Sequence, residues 1–201
     1  MKTMKYRGLL ICFLIFPMYL SSSQKVENIG IKTSVIFNTL CAKCHEGECS
    51  GRLSFDTDSE VASNHIKHYA GDINISKEEI KEFFALLNHM KTECILWMPD
   101  SGMWNMKHLS LFTLHSGKGY FIPLGFLKKG KYHLEIKIKE KVHCKIEIIS
   151  DKFEYFLDIS ACPNCEKKPL QFIIDRSSNT FLRIQSRKSL QITDLHVKKD
   201  P

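Results

Sequence analysis

Residues 131–149 read KYHLEIKIKEKVHCKIEII, and their alternation sets the fold class. Tyr132, Leu134, Ile136 and Ile138 alternate with polar residues, and after Glu140-Lys141 so do Val142, Cys144, Ile146 and Ile148. A side-chain period of two belongs to β-strands, in which successive residues point to opposite faces. Two such runs flanking a short turn predict an antiparallel hairpin with one buried and one wet face. Cys144 falls on the buried side. Further strands are expected at 153–159, 170–175, 180–185 and 189–197, separated by Asp, Ser, Asn and Pro. About six or seven short strands over 117–201 predict an antiparallel β-sandwich or jelly-roll-like domain.

Upstream of residue 95 the period becomes helical. Ile29 to Leu40 predicts a helix with Ile29, Thr33, Ile36, Phe37 and Leu40 near one face. Residues 58–69 place Val61, Ala62, His65, Ile66 and Tyr69 at helical spacing, and Gly71 ends the run. Ser76 followed by Glu79 is a capping-box signature, and the helix it opens puts Ile80, Phe83, Phe84, Leu87 and Met90 on one stripe. Residues 28–95 thus predict a small all-α unit. About 70 residues bury too little apolar surface without a staple, metal or cofactor. Residues 96–116, with both tryptophans, are expected as a linker that packs on one or both units. The predicted fold class is α+β in two domains.

The chain has 201 residues, 43% apolar and 25% charged, which excludes long disorder, collagen-like repeats and a polytopic membrane protein. Lys2, Lys5 and Arg7 precede the apolar run LLICFLIFPMYL at 9–20, and SSSQ follows. A basic start, a short apolar run and small residues describe a secretory signal peptide over 1–23. The run is shorter than the roughly 20 residues a spanning helix needs. Export to the periplasm or another compartment outside the cytoplasm is expected, with membrane contact only if the leader stays uncleaved. Without the three leader cations the formal charge falls from +7 to +4, too mild to argue for nucleic acid.

Cys41-Ala-Lys-Cys44-His45 is a C-x-x-C-H sequence, the attachment pattern of c-type haem. Two thiols one helical turn apart can add to the two vinyl groups on one edge of the macrocycle, and the adjacent imidazole is then carried under the ring toward iron. An exported chain and a helical unit short of core agree with this chemistry.

The segment FNTLCAKCH, with Phe37 four residues before Cys41, resembles the class I c-type cytochromes, and EEIKEFFALLNHMK resembles the closing helix of that family. The resemblance covers residues 28–95, about a third of the chain. It implies a cytochrome c-like haem domain with one covalent haem c: Cys41 and Cys44 as thioether residues, His45 as proximal axial ligand. It also implies one-electron transfer with redox partner proteins, rather than catalysis on a small-molecule substrate. The family's usual methionine ligand is missing, because no methionine occurs between residues 46 and 89. That stretch holds His65 and His68. His65 shares a stripe with Ala62, Ile66 and Tyr69 and is the first choice for distal iron ligand. His68 is the second, and Met98, Met103 and Met106 rank after it. A five-coordinate iron, open to a small gas or peroxide, is the remaining alternative.

Cys49 and Cys94 are expected to form a disulfide tying the loop after the motif to the closing helix. In the entropic model such a bond adds about 3–4 kcal/mol. Cys162-Pro-Asn-Cys165 lies between strands, away from the helix N-terminus that makes such pairs reactive, and is expected as a structural disulfide. Lys128, Lys129, Lys131, Lys137, Lys139, Lys141 and Lys145 read first as a solvated sheet face and second as a docking surface for an acidic redox partner. The alternative function is a haem-free extracellular β-sandwich binding module stabilised by disulfides. No G-x-S-x-G, H-E-x-x-H or glycine-rich phosphate loop is present.

Overall fold

A computed structural model describes residues 29–46, 59–71, 73–99, 105–163 and 169–200. Among these residues the chain is α+β, with two antiparallel sheets and four α-helices. α1 (Ile31–Ile36), a π-helical turn (Phe37–Cys41) and α2 (Ala42–His45) run on as one continuous rod. α3 (Ser59–Ala70) and α4 (Lys77–Glu93) follow, then a 3-10 helix (Met106–Phe112). The strands are β1 (Gly119–Leu127), β2 (Gly130–Ile138), β3 (Cys144–Ser150), β4 (Tyr155–Ala161), β5 (Leu170–Ile174), β6 (Ser178–Ser186) and β7 (Ile192–Lys199). No helix among the described residues is long and apolar enough to cross a membrane. The expected leader, Cys49 and Cys165 lie outside the described residues.

The capping box forms as expected: Glu79 N–H donates to Ser76 Oγ at 3.1 Å and Ser76 N–H to Glu79 Oε2 at 2.7 Å. α4 ends where Cys94 turns left-handed (φ 53°) and its N–H reaches back to the Met90 carbonyl. The inward stripe of α4 is Ile80, Phe83, Leu86 and Met90, whereas Phe84 and Leu87 are only partly buried.

The expected hairpin over 131–149 is not formed. β2 pairs with β5 and β7 in a three-stranded sheet, β5-β2-β7, and β3 pairs with β6 and β4 in a four-stranded sheet, β1-β6-β3-β4. Residues 139–143 cross from one sheet to the other. Alternation fixes which face of a strand is buried, but not which edge pairs with which. Glu140-Lys141 also lacks the Asn or Gly that a two-residue hairpin turn requires. Of the positions expected to be buried, Tyr132, Leu134, Ile136, Ile138, Cys144, Ile146 and Ile148 lie in the core, and Val142 is only partly buried.

The second face of the four-stranded sheet is covered in part. α1 and the π turn pack on β1, and the π turn also packs on β6, so that sheet lies between the other sheet and the helices. Gly119 permits the close approach: a Cβ there would lie 2.8 Å from Thr39 Cγ2 and 2.9 Å from Leu114 Cδ1. The expected free-standing all-α unit is therefore absent, because the helices share one buried core with the sheets. Residues 96–99 and 105–114 tie the two together. Leu96 N–H donates to the Asp151 carbonyl, Asn38 Nδ2 to the Trp97 carbonyl at 2.9 Å, and Leu109, Phe112 and Leu114 are buried.

Candidate functional site

The rod carrying Cys41, Cys44 and His45 is irregular at one place, the π turn that immediately precedes and includes Cys41. A π turn inserts an extra residue into the ladder and leaves carbonyls poorly paired, and such turns concentrate at functional sites. Here side chains of β6 take up those carbonyls. Arg183 Nη1 donates to the Asn38 carbonyl at 3.2 Å, and Gln185 Nε2 donates to the Thr39 carbonyl. Thr39 Oγ1 closes back on the Val35 carbonyl at 2.6 Å.

Arg183 is fully buried, as is Glu147 opposite it on β3. Arg183 Nε donates to Glu147 Oε2 at 2.6 Å, and Lys43 Nζ donates to Glu147 Oε1 at 2.6 Å. Arg183 Nη2 reaches Tyr155 Oη at 2.6 Å and Glu46 Oε1 at 3.2 Å, and Tyr155 Oη donates to Glu46 Oε1 at 2.5 Å. Lys43 lies inside the C-x-x-C-H sequence and Glu46 directly after it, so two ion-paired side chains pin this turn to the sheet. Burial alone would raise the Glu147 carboxyl, but Lys43 and Arg183 outweigh it and hold the group below the ordinary glutamate range. Burial and the bond to Glu46 push the Tyr155 hydroxyl far upward.

The opposite side of the rod faces a cavity of about 420 Å³ between the motif, α3 and α4. Cys41, Cys44, His45 and His65 line it together with apolar side chains that include Phe37, Ile66, Phe83 and Leu87. The His45 and His65 rings lie edge-on to each other, 6.3 Å apart between centroids, at an interplanar angle of 75°. Phe37 meets Phe83 at 6.4 Å, so the aromatic residue four before Cys41 does pack on α4. His68 touches Tyr69 at 5.1 Å but does not line the cavity, and neither do Met98 and Met106; Met103 lies outside the described residues. α3 does not bury the stripe expected of it. Ile66 is buried, but Val61 is 65% and Tyr69 55% exposed, and His65 is also exposed. Their apolar surface borders an opening rather than a packed core.

Cys41, Cys44 and Cys144 are thiols. The expected Cys49–Cys94 disulfide involves Cys49, which lies outside the described residues. Cys162 is disulfide-bonded. Burial, then the neighbouring Cys44, pushes the Cys41 thiol up to about 12, so it is neutral at physiological pH.

No family model matches the chain, and no curated protein and no solved structure matches it. Among the described residues no group of three or more His, Cys, Asp or Glu side chains converges to hold a metal ion. Together with the predominance of sheet over short helices, these findings overturn the resemblance to class I c-type cytochromes. The short segment that carried it recurs too easily in a chain rich in Cys and His.

Sequence reasoning missed Arg183, Glu147, Tyr155 and Gln185. The signal available was a charge at an interior position of an apolar strand, as in Phe-Leu-Arg183-Ile and Ile-Glu147-Ile-Ile. Two such charges of opposite sign become informative only once their strands are known to be neighbours.

Proposed function

We propose that the chain is an exported one-electron carrier that holds one covalent haem through Cys41 and Cys44, with His45 and His65 as its two axial ligands. The reading rests on the residues of this chain rather than on a family. The observation that carries it is the apolar cavity that both thiols and both imidazoles line.

The residues fit the group in three respects. The cavity is within the roughly 300–1,000 Å³ typical of ligand sites, and its lining is apolar with a few convergent polar groups. His45 and His65 would be the residues that hold the iron, and their rings are 6.3 Å apart at the cavity. The iron of a macrocycle needs only one or two protein ligands. Both thiols are unoxidised, which suits thioether formation and not the Cys41–Cys44 disulfide expected of a haem-free module. The disulfide at Cys162 supports an oxidising compartment.

When bound, the haem would supply reversible one-electron chemistry at iron, at a potential set by axial ligands and burial. The chain's own part is to hold His45 on a rod pinned by Lys43 and Glu46, to present His65 from α3, and to exclude water with Phe37, Phe83 and Leu87. The two sheets serve as the platform that docks a partner.

The test is a reduced-minus-oxidised visible spectrum of the full chain, exported in a host competent for haem attachment, with a haem stain of the denatured protein. Stain that persists in the wild type and vanishes in Cys41→Ser/Cys44→Ser is the expected result. His65→Ala should open the reduced protein to carbon monoxide. A folded, colourless, unstained wild type would sink the reading.

A further inference from the structure

A second cavity, of about 670 Å³, opens at the end of the four-stranded sheet. Lys141, His143 and Lys145 border it from one side, and Arg187 and Lys188 from the other, with Gln185 in its wall. We infer that this cavity is the docking site for an acidic segment of a protein partner. The inference rests on the one-electron reading above, since it assigns a partner to that carrier.

Two observations mark this patch. The first is charge balance. On β2 and β7, Lys137 pairs with Asp194 at 2.8 Å and Lys198 with Glu135 at 3.0 Å. Around the cavity only Lys145 has such a partner, Asp158. Among the described residues Lys141, Arg187 and Lys188 have no carboxylate in ion-pair range. Glu140, next to Lys141, accepts a hydrogen bond from Gln191 N–H at 2.7 Å. A concave surface with three unbalanced cations focuses positive potential and attracts anions.

The second observation is location. Residues two apart on a strand share a face, about 7 Å apart. Lys145 and Gln185, opposite each other in register, are thus one step along the same face from the Glu147–Arg183 pair. Gln185 also donates to the Thr39 carbonyl, two residues before Cys41. The basic cavity therefore abuts the rod that carries the motif. Complementary charge at such a rim speeds encounter and fixes orientation, which is what a carrier must do to bring its redox centre near a partner.

The test is an amide chemical-shift titration of the full chain with hexaglutamate at low salt. Shifts are expected to cluster at 141–145 and 185–188. The triple variant Lys141→Glu/Arg187→Glu/Lys188→Glu should weaken binding about tenfold or more, while Lys137→Glu/Lys198→Glu should change it less than about twofold. No saturable response, or equal losses in the two variants, overturns the inference. So does binding to phosphatidylglycerol vesicles that the triple variant abolishes while hexaglutamate gives no response, which would assign the cavity to a membrane surface. The titration needs no haem. A colourless protein that binds at this cavity would keep the docking site and lose the electron-transfer reading; a haem-stained protein that does not bind would do the reverse.

Discussion

Replacing Arg183 by Met removes the cation that holds the motif turn to the sheet while keeping an unbranched chain of similar length. Two costs follow. Glu147, fully buried, keeps only Lys43 as a charged partner, and the lysine side chain is 44% exposed. The Asn38 carbonyl loses its donor at the π turn. Breaking one side of a buried ion pair costs about 3–5 kcal/mol, and the orphaned carbonyl adds about 1–3 kcal/mol where no water replaces the donor. Arg183→Met should therefore destabilise by at least about 3 kcal/mol.

The double variant Arg183→Met/Glu147→Leu separates the charge from the packing. It removes both buried charges, frees Lys43 to reach water, and leaves the Asn38 carbonyl as the main loss. It should be less destabilised than Arg183→Met alone, by about 1–2 kcal/mol. Urea unfolding of the full chain, followed by far-ultraviolet circular dichroism, measures both values at a common slope. A loss under about 1 kcal/mol for Arg183→Met, or a double variant worse than the single, would refute the pinning argument. The acid limb gives a second check. The Glu147 carboxyl is lowered in the folded state, so its stabilisation is fully present above the unfolded value of about pH 4.3 and is lost as pH falls through the lower folded value. Glu147→Gln should flatten that part of the acid-unfolding curve.

Two further outcomes are expected. The Cys144 thiol, buried and pushed up to about 11, should resist iodoacetamide at about pH 8 until the protein is unfolded; mass spectrometry showing prompt native-state labelling of Cys144 would contradict its place in the core. Ser76→Ala should cost about 1 kcal/mol in urea unfolding through loss of the α4 cap, and an unchanged midpoint would mean that tertiary packing alone fixes that helix end.

Much of the secondary structure was legible because it rests on local pattern. The Ser76/Glu79 cap, α4 and the alternating strands need no knowledge of distant residues. Pairing was not legible: the same alternation serves a hairpin and two facing sheets, and residues 139–143 carry no turn chemistry that decides between them. The cavity was half legible. Cys41, Cys44, His45 and His65 do meet, but the stripe that was expected to bury His65 is an open rim, with Val61 and Tyr69 exposed. The Arg183 network could not be assembled from the sequence, because its parts are far apart in the chain. Lys43, Glu46, Glu147, Tyr155 and Arg183 come from three widely separated stretches, and each looks like a surface residue until the helices are laid on the sheet.

That arrangement explains why a costly buried ion pair sits where it does. Burying two charges seldom adds net stability over apolar packing, and the same sheet face could have been filled with Leu and Ile. A polar pair, however, fixes direction as well as distance. Arg183 binds a backbone carbonyl of the π turn, the carboxylate of Glu147 and the side chain just past His45 with one rigid guanidinium fork. An apolar contact would let the rod slide or roll by a fraction of a turn. With this fork in place, the face bearing Cys41, Cys44 and His45 is held toward the cavity before anything is bound there. Preorganisation of this kind is what the proposed attachment site would need, since thiols and an imidazole one turn apart are useful only if all are presented together.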